Sequence, residues 1–242
     1  MNYSSKVVVI TGASRGIGKS LAYYFANLGC NLIITYNKSR NLSNYVVRDI
    51  KKKKNVQIDN IKCDLKNEDD INNLYKFIRN KYQKVDILIN NAALSLDSDF
   101  QYKTKEEFME VLEVNVVGTF LMIKYLSKIM DETGYIFNIS STDGIDTYNR
   151  YSIDYCASKA GINNMTMNIA GIVSCKVISI CPNWVDTETI REIDQDYLQS
   201  ELERVGQEKL IEPITICKVI DECIKNNTET GSIIRIDGDI NE

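Results

Sequence analysis

The sequence has no histidine in 242 residues. That absence excludes a Ser-His-Asp triad, a Cys-His dyad, His-ligated zinc and a histidine general base. Acid–base work near neutral pH must then come from a tuned Tyr, Lys, Cys, Asp or Glu. Proline is nearly absent too: Pro182 and Pro213 are the only two, and no Pro/Gly/Ser-rich linker divides the chain. A chain of this length with no linker reads as one domain over 1–242 with a sizeable core. There is no apolar run of signal-peptide length at the N-terminus and no transmembrane stretch after it. No excess of positive charge marks a nucleic-acid binder, since the net charge is −4. The one basic run, Lys51-Lys52-Lys53-Lys54, closes a predicted helix, where lysines suit the dipole and water. Cysteine is present, but Cys30, Cys63, Cys156, Cys175, Cys181, Cys217 and Cys223 are odd in number and form no Cys-x-x-Cys pair. Several lie in apolar segments and read as buried reduced thiols. The expectation is a cytoplasmic protein without membrane or nucleic-acid partners.

What is present is a regular alternation. Short apolar, β-branched runs fall at 7–10, 32–35, 56–58, 85–89, 135–139, 177–180 and 232–236. Longer segments of helical period lie at 16–28, 41–54, 67–82, 104–130, 154–172 and 213–226. The pattern predicts an α/β, single-domain, Rossmann-type doubly wound sheet of about seven parallel strands with helices on both faces. Such sheets bind ligands at the carboxyl ends of their strands.

The first strand ends in Thr11-Gly12-Ala13-Ser14-Arg15-Gly16-Ile17-Gly18, directly before a predicted helix. Gly12 permits a tight turn, Gly16 lets backbone approach a pyrophosphate, and Gly18 lets helix and strand pack closely. The helix N-terminus then adds amide donors and positive dipole. The spacing is Gly-x-x-x-Gly-x-Gly rather than Gly-x-Gly-x-x-Gly. A plain strand–helix turn is the alternative reading. After the second strand comes Tyr36-Asn37-Lys38-Ser39-Arg40, without the carboxylate that an NAD ribose expects. Arg15 and Lys38 suit a 2′-phosphate instead, which predicts NADP(H) as cofactor. Arg40 reads as a solvated surface cation.

Tyr155 and Lys159 lie four residues apart in a predicted helix, so both face one side, one turn apart. An ammonium near a phenol favours the phenolate and lowers its pKa from about 10. A tyrosine so tuned trades a proton with an alcohol or carbonyl.

Taken in order, these motifs resemble the short-chain dehydrogenase/reductase superfamily of the classical type, in look nearest its 3-oxoacyl-ACP reductases. The turn at 11–18 resembles the family's cofactor turn. Cys63-Asp64-Leu65 falls where its adenine-contacting Asp lies, with capping of the helix near Asn67 as the alternative for Asp64. Asn90-Asn91-Ala92-Ala93 is similar to its Asn-Asn-Ala-Gly motif, and Asn115 to its helix Asn. Asn138-Ile139-Ser140-Ser141, with Gly144 beyond, marks Ser141 as the catalytic serine and leaves Asn138 and Ser140 structural. Pro182-Asn183-Trp184-Val185-Asp186-Thr187 resembles the loop after strand six, and Ile236-Asp237-Gly238 the closing strand.

The resemblance implies hydride transfer between nicotinamide and a carbonyl or carbinol carbon. Asn115, Ser141, Tyr155 and Lys159 would be the catalytic residues. Tyr155 would be the general acid, Lys159 would lower its pKa and bond the nicotinamide ribose, Ser141 would hold the substrate oxygen, and Asn115 would hold a relay water or serve as a helix kink. Cofactor contacts would come from Gly12, Ser14, Arg15, Gly16, Ile17, Gly18, Asn37, Lys38, Cys63, Asp64, Leu65, Asn91, Ala92, Ala93, Tyr155, Lys159, Pro182, Val185 and Thr187, with Thr187 holding the carboxamide or capping a helix. Ser141, Tyr148, Tyr151, Asn183 and Trp184 would line the substrate pocket, with Tyr148 and Tyr151 as surface aromatics in the alternative reading. The segment 188–212 would be the substrate lid.

The expected substrate is a small-molecule carbonyl or alcohol, a 3-oxoacyl thioester on acyl carrier protein or CoA, and the expected assembly a homodimer or homotetramer. A dehydrogenase for a small polar alcohol or sugar, and a non-catalytic cofactor-binding regulator, are the alternatives. Three departures from the family pattern matter. Ala93 replaces a Gly. Asn183 replaces the Gly after Pro182, and Asn tolerates a left-handed conformation better than most residues, so the turn can survive. Pro182 follows Tyr155 by only 27 residues, which shortens the end of the active-site helix and leaves Lys176 as the only nearby basic residue for docking a carrier protein.

Overall fold

The structure, a computed structural model, describes residues 2–239. Seven strands form one parallel sheet: β1 (Val7–Ile10), β2 (Asn31–Tyr36), β3 (Ile58–Lys62), β4 (Ile87–Asn90), β5 (Tyr135–Ile139), β6 (Lys176–Pro182) and β7 (Ile233–Ile236). Their order is β3-β2-β1-β4-β5-β6-β7. The chain runs outward from β1 to β3, then returns to place β4 beside β1. Between β1 and β4 the winding reverses, and a crevice opens at the carboxyl ends of the strands.

Helices cover both faces because the strands bury both. Val8, Ile10, Leu32 and Ile34 share a core with Leu21 and Phe25 of α1 (Gly16–Asn27) and Ile216 and Ile220 of α9 (Pro213–Lys225). The alternate residues Val7, Val9 and Ile33 pack instead with Ile71 and Leu74 of α3 (Glu68–Lys81) and Met122 and Leu126 of α5 (Gly118–Leu126). This two-sided burial is why the strands read as continuous apolar runs. Helix α2 (Arg40–Lys53) ends in the lysine run, with Lys51, Lys52 and Lys53 in its last turn.

Two segments differ from the sequence expectation. The third strand is Ile58–Lys62 rather than 56–58. It is an edge strand, so Asp59, Asn60 and Lys62 are tolerated in it and the apolar pattern fades. The long helical segment 104–130 is divided. Helix α4 (Lys105–Leu112) passes through one π turn, Glu113–Val117, into α5. Beyond these come α6 (Ile153–Ile169), α7 (Glu188–Arg191) and α8 (Gln195–Val205). All seven cysteines are free, six of them buried. Among the described residues no helix is long and apolar enough to cross a membrane.

Candidate active site

The glycine turn is shaped for an anion. Gly12 has φ +66°, and a Cβ there would lie 2.9 Å from Ala92, so the turn and the end of β4 touch backbone to backbone. Asn91 locks this contact: its Nδ2 donates to the carbonyls of Thr11 at 2.9 Å and Gly12 at 3.2 Å. Its side chain is therefore spent on holding the turn. Thr11 Oγ1 accepts from the amides of Asn91 and Ala92 at 2.9 and 3.0 Å. On the open side the Gly16 N–H donates to Glu188 Oε2 at 2.8 Å, and Lys19 Nζ donates to Glu188 Oε1 at 3.2 Å. A carboxylate seated on the first amide of α1 shows that the turn takes negative charge. Those contacts, with the Gly16 and Lys19 donors, hold the Glu188 carboxyl below its usual range even though partial burial pushes the other way.

Arg15, Asn37 and Lys38 are exposed at the mouth of this turn, and Ser14 is half-buried. Arg15 and Lys38 have no ion-pair partner among the described residues. Cys63 and Leu65 are buried, and Leu65 backs onto Gly118. Asp64 accepts from the Lys66 N–H at 3.1 Å, while Asn67 itself caps α3. One amide donor, two exposed cations and the partnerless Nδ2 of Asn183 therefore lie just past the carboxyl ends of β1, β2 and β6. This donor set fits a dinucleotide carrying an additional phosphate.

Deeper in the crevice Ser141, Tyr155 and Lys159 converge. Ser141 follows β5 and caps a short turn by accepting from the Asp143 N–H at 3.1 Å. Gly144 makes that turn possible, since a Cβ there would sit 2.6 Å from the Lys159 carbonyl carbon. Tyr155 and Lys159 lie on α6 one turn apart, with Lys159 Nζ 5.1 Å from the centre of the Tyr155 ring. Lys159 is buried and donates to the Ile139 carbonyl at 2.7 Å. Burial pulls its pKa down to about 8, with Cys181 and Asp143 opposing. The Tyr155 phenol is displaced upward, first by burial, then by the carboxylate of Asp143 and by Cys156; a hydrogen bond with Ser141 works the other way. The expectation that Lys159 lowers the phenol pKa is thus not met in this structure, because desolvation dominates.

Asn115 sits in the π turn, fully buried. Its Oδ1 accepts from the Leu94 N–H at 2.8 Å, and its Nδ2 donates to the Leu94 carbonyl and to Ser158 Oγ, each at 2.9 Å. Ser158 in turn donates to the Tyr155 carbonyl at 2.7 Å. From within the π turn Asn115 thus ties the loop after β4 to the active helix. Asn138 and Ser140 are structural, as expected. Asn138 bridges Asn90 and Thr166, and Ser140 donates to the Lys159 carbonyl.

The loop residues sort differently from one another. Tyr148 is exposed, with the Arg204 guanidinium 4.4 Å from its ring centre. Tyr151 is half-buried and packs edge-on against Tyr197 of α8 at 5.7 Å. Segment 188–212 thus folds back onto the loop before α6. Trp184 is half-buried, and its N–H and carbonyl are both held by Gln207. Pro182 and Val185 are buried, and Thr187 caps α7 through Ile190 while its methyl closes on Gly16. Asn183 is not among the described residues with positive φ, so the chain passes this position without a left-handed residue. Lys176 is also engaged, donating to the Asn227 carbonyl and Oδ1 and to the Thr228 carbonyl at 2.9, 2.6 and 3.1 Å.

Four residues near the site were not singled out from the sequence. Asp143 is half-buried beside Ser141, accepts from Thr147 Oγ1 at 2.7 Å, and has its pKa raised by burial. Its place two residues after Ser141 was the available signal. Glu188 follows Thr187 directly, yet nothing local announces that it reaches Gly16. Lys103 and Asp154 form a buried ion pair across 51 residues of sequence, for which no local signal exists.

A glycine turn at the switch point and a Ser-Tyr-Lys cluster beside it define a dinucleotide-binding oxidoreductase. The short chain dehydrogenase family model matches residues 6–198, and the chain belongs to that family. It is 29% identical to the 3-oxoacyl-[acyl-carrier-protein] reductase FabG of Aquifex aeolicus over 240 residues, 96% of each chain. The same identity holds over 198 residues with the 3-oxoacyl-[acyl-carrier-protein] reductase of Synechocystis sp., covering 80% of this chain and 79% of that one. Among solved structures, a short chain dehydrogenase from Burkholderia cenocepacia in complex with NADP superposes with a TM-score of 0.91 at 22% identity, covering 99% of both chains. A dehydrogenase/reductase from Sinorhizobium meliloti gives 0.90 at 25% identity, covering 100% of this chain and 98% of that one.

Proposed function

We propose that this oxidoreductase reduces a ketone to an alcohol with NADPH, and that a 3-oxoacyl thioester is its substrate class. The observation that carries the reading is the convergence of Ser141, Tyr155 and Lys159 beside the anion-shaped turn. Arg15 and Lys38, exposed at the mouth of that turn, support NADPH over NADH through its 2′-phosphate. The two relatives named as 3-oxoacyl-[acyl-carrier-protein] reductases support the substrate class.

Bound NADPH supplies the hydride. The chain's residues handle the oxygen. Tyr155, kept protonated by burial, donates its hydroxyl proton to the carbonyl oxygen as charge develops there. The Ser141 hydroxyl donates a second hydrogen bond to the same oxygen. Lys159, fixed to the end of β5, places positive charge beside the phenolate that remains. Asn115 sets the Leu94 loop against α6 through Ser158.

A second reading, a small polar ketone, is favoured by Asp143 and by the charged residues Glu201 and Arg204 of the segment that covers it. The engaged Lys176 also removes one cation from any carrier-protein dock. The deciding assay is NADPH consumption with an acetoacetyl thioester against consumption with a polyhydroxy ketone. Turnover of the thioester supports the first reading; turnover of the hydroxylated ketone alone replaces it with the second.

A further inference from the structure

We infer that Lys103 and Asp154 are a positioning pair that fixes Tyr155 against the loop forming the cofactor side of the crevice. The inference rests on the proposed role of Tyr155 as the acid.

The two side chains are almost wholly removed from water, at 4% and 0% exposure, with Nζ 3.0 Å from Asp154 Oδ2. Each partner also holds backbone. Lys103 Nζ donates to the Leu96 carbonyl, in the loop that continues from Asn90-Asn91-Ala92-Ala93. Asp154 Oδ1 accepts from the Tyr155 N–H at 2.9 Å. One ammonium therefore joins the loop after β4 to the first turn of α6, immediately beside the tyrosine.

Three further links run the same way. The Ser98 N–H donates to the Tyr151 carbonyl at 2.9 Å, Ser152 Oγ donates to Asp97, and Asn115 clamps Leu94 from below. The segment from Leu94 to Lys103 is thus laid along the approach to α6. The ion pair is its only buried charged contact there among the described residues.

Stability alone does not account for the pair. Removing two charges from water costs several kcal/mol each, and apolar or neutral replacements of both partners are often neutral or stabilising. Removing one partner leaves a buried charge and is strongly destabilising. What the pair supplies beyond an apolar contact is direction. An ammonium bonded to two oxygens on two separate elements admits one arrangement of those elements. The distance between the Tyr155 hydroxyl and the reacting carbon depends on that arrangement, and small misplacements cost large factors in rate.

The test uses the full-length protein with both partners replaced, K103M/D154N, so that no charge is left buried; K103M alone and K103R are compared with it. In the paired variant we expect wild-type thermal stability and NADPH affinity, but kcat at least about tenfold lower with KM changed by less than about threefold. K103R, which keeps the charge, recovers part of kcat. An activity-free readout accompanies this: amide exchange at 94–98 and 153–156 becomes at least about tenfold faster in the paired variant while the rest of the chain is unchanged. Wild-type kcat, or unchanged exchange in these segments, overturns the inference. If the wild-type protein turns over no ketone with NADPH, the proposed function fails, and the exchange experiment still decides whether the pair holds the two segments together.

Discussion

The ammonium of Lys159 lies 5.1 Å from the centre of the Tyr155 ring, and its 2.7 Å hydrogen bond goes to the Ile139 carbonyl. The pair is therefore tied to the end of β5 rather than closed on itself. Burial raises the phenol, which stays neutral, and lowers the ammonium to about 8, which leaves Lys159 still mainly charged at pH 7. A neutral phenol is a proton donor, which is the form that ketone reduction needs.

Lys159 should show itself in the pH dependence of stability. Its folded pKa of about 8 lies below the ordinary lysine value of 10.5. Folding therefore disfavours the proton, and the penalty is fully present below pH 8 and relieved as pH rises toward 10.5. Lys159→Met removes the buried charge at some cost from the unpaired Ile139 carbonyl. Chemical denaturation at a series of pH values should show K159M gaining on the wild type most below pH 8, by an amount that shrinks toward pH 10.5. A difference that does not vary with pH would contradict the assignment.

Gly144 is required by close approach. A methyl there would sit 2.6 Å from the Lys159 carbonyl carbon and 2.8 Å from the Ala160 nitrogen. Gly144→Ala should destabilise by about 1–3 kcal/mol and reduce turnover, because the Ser141 turn must move off α6. Urea denaturation and steady-state rates on the same preparation check both.

The anion seat makes a prediction about cofactor affinity. Glu188 presents a carboxylate to the Gly16 N–H, where a cofactor phosphate would compete for the same donor. Glu188→Gln should tighten NADPH binding by about two- to fivefold, the scale of charge at a helix N-terminus. Lys38→Ala should weaken NADPH by about tenfold, about 1.4 kcal/mol, and leave NADH nearly unchanged. Fluorescence titration with both nucleotides measures each; equal loss for the two nucleotides would remove Lys38 from the 2′-phosphate site.

The sheet was legible because its strands bury both faces and read as unbroken apolar runs, as Val7–Ile10 and Tyr135–Ile139 show. The edge strand β3 was placed early in the chain by its apolar residues, since Asp59, Asn60 and Lys62 break the pattern. Gly12, Tyr155 and Lys159 were legible from local spacing, and Ser141 only through the resemblance to the family. Lys103, Asp154 and Glu188 were not, because their partners come from elements that only the fold brings together. The direction of the Tyr155 shift was also beyond the sequence, since it depends on how deeply the crevice desolvates the ring.

The central claim is that Tyr155 delivers the proton, and Tyr155→Phe tests it most directly. The variant keeps the ring and its packing and loses only the hydroxyl. With an acetoacetyl thioester and saturating NADPH, turnover should fall by at least about a thousandfold, within the upper range for a general acid together with its hydrogen bond. NADPH affinity should stay within about threefold of the wild type. A Tyr155→Phe protein that turns over at the wild-type rate would contradict the account.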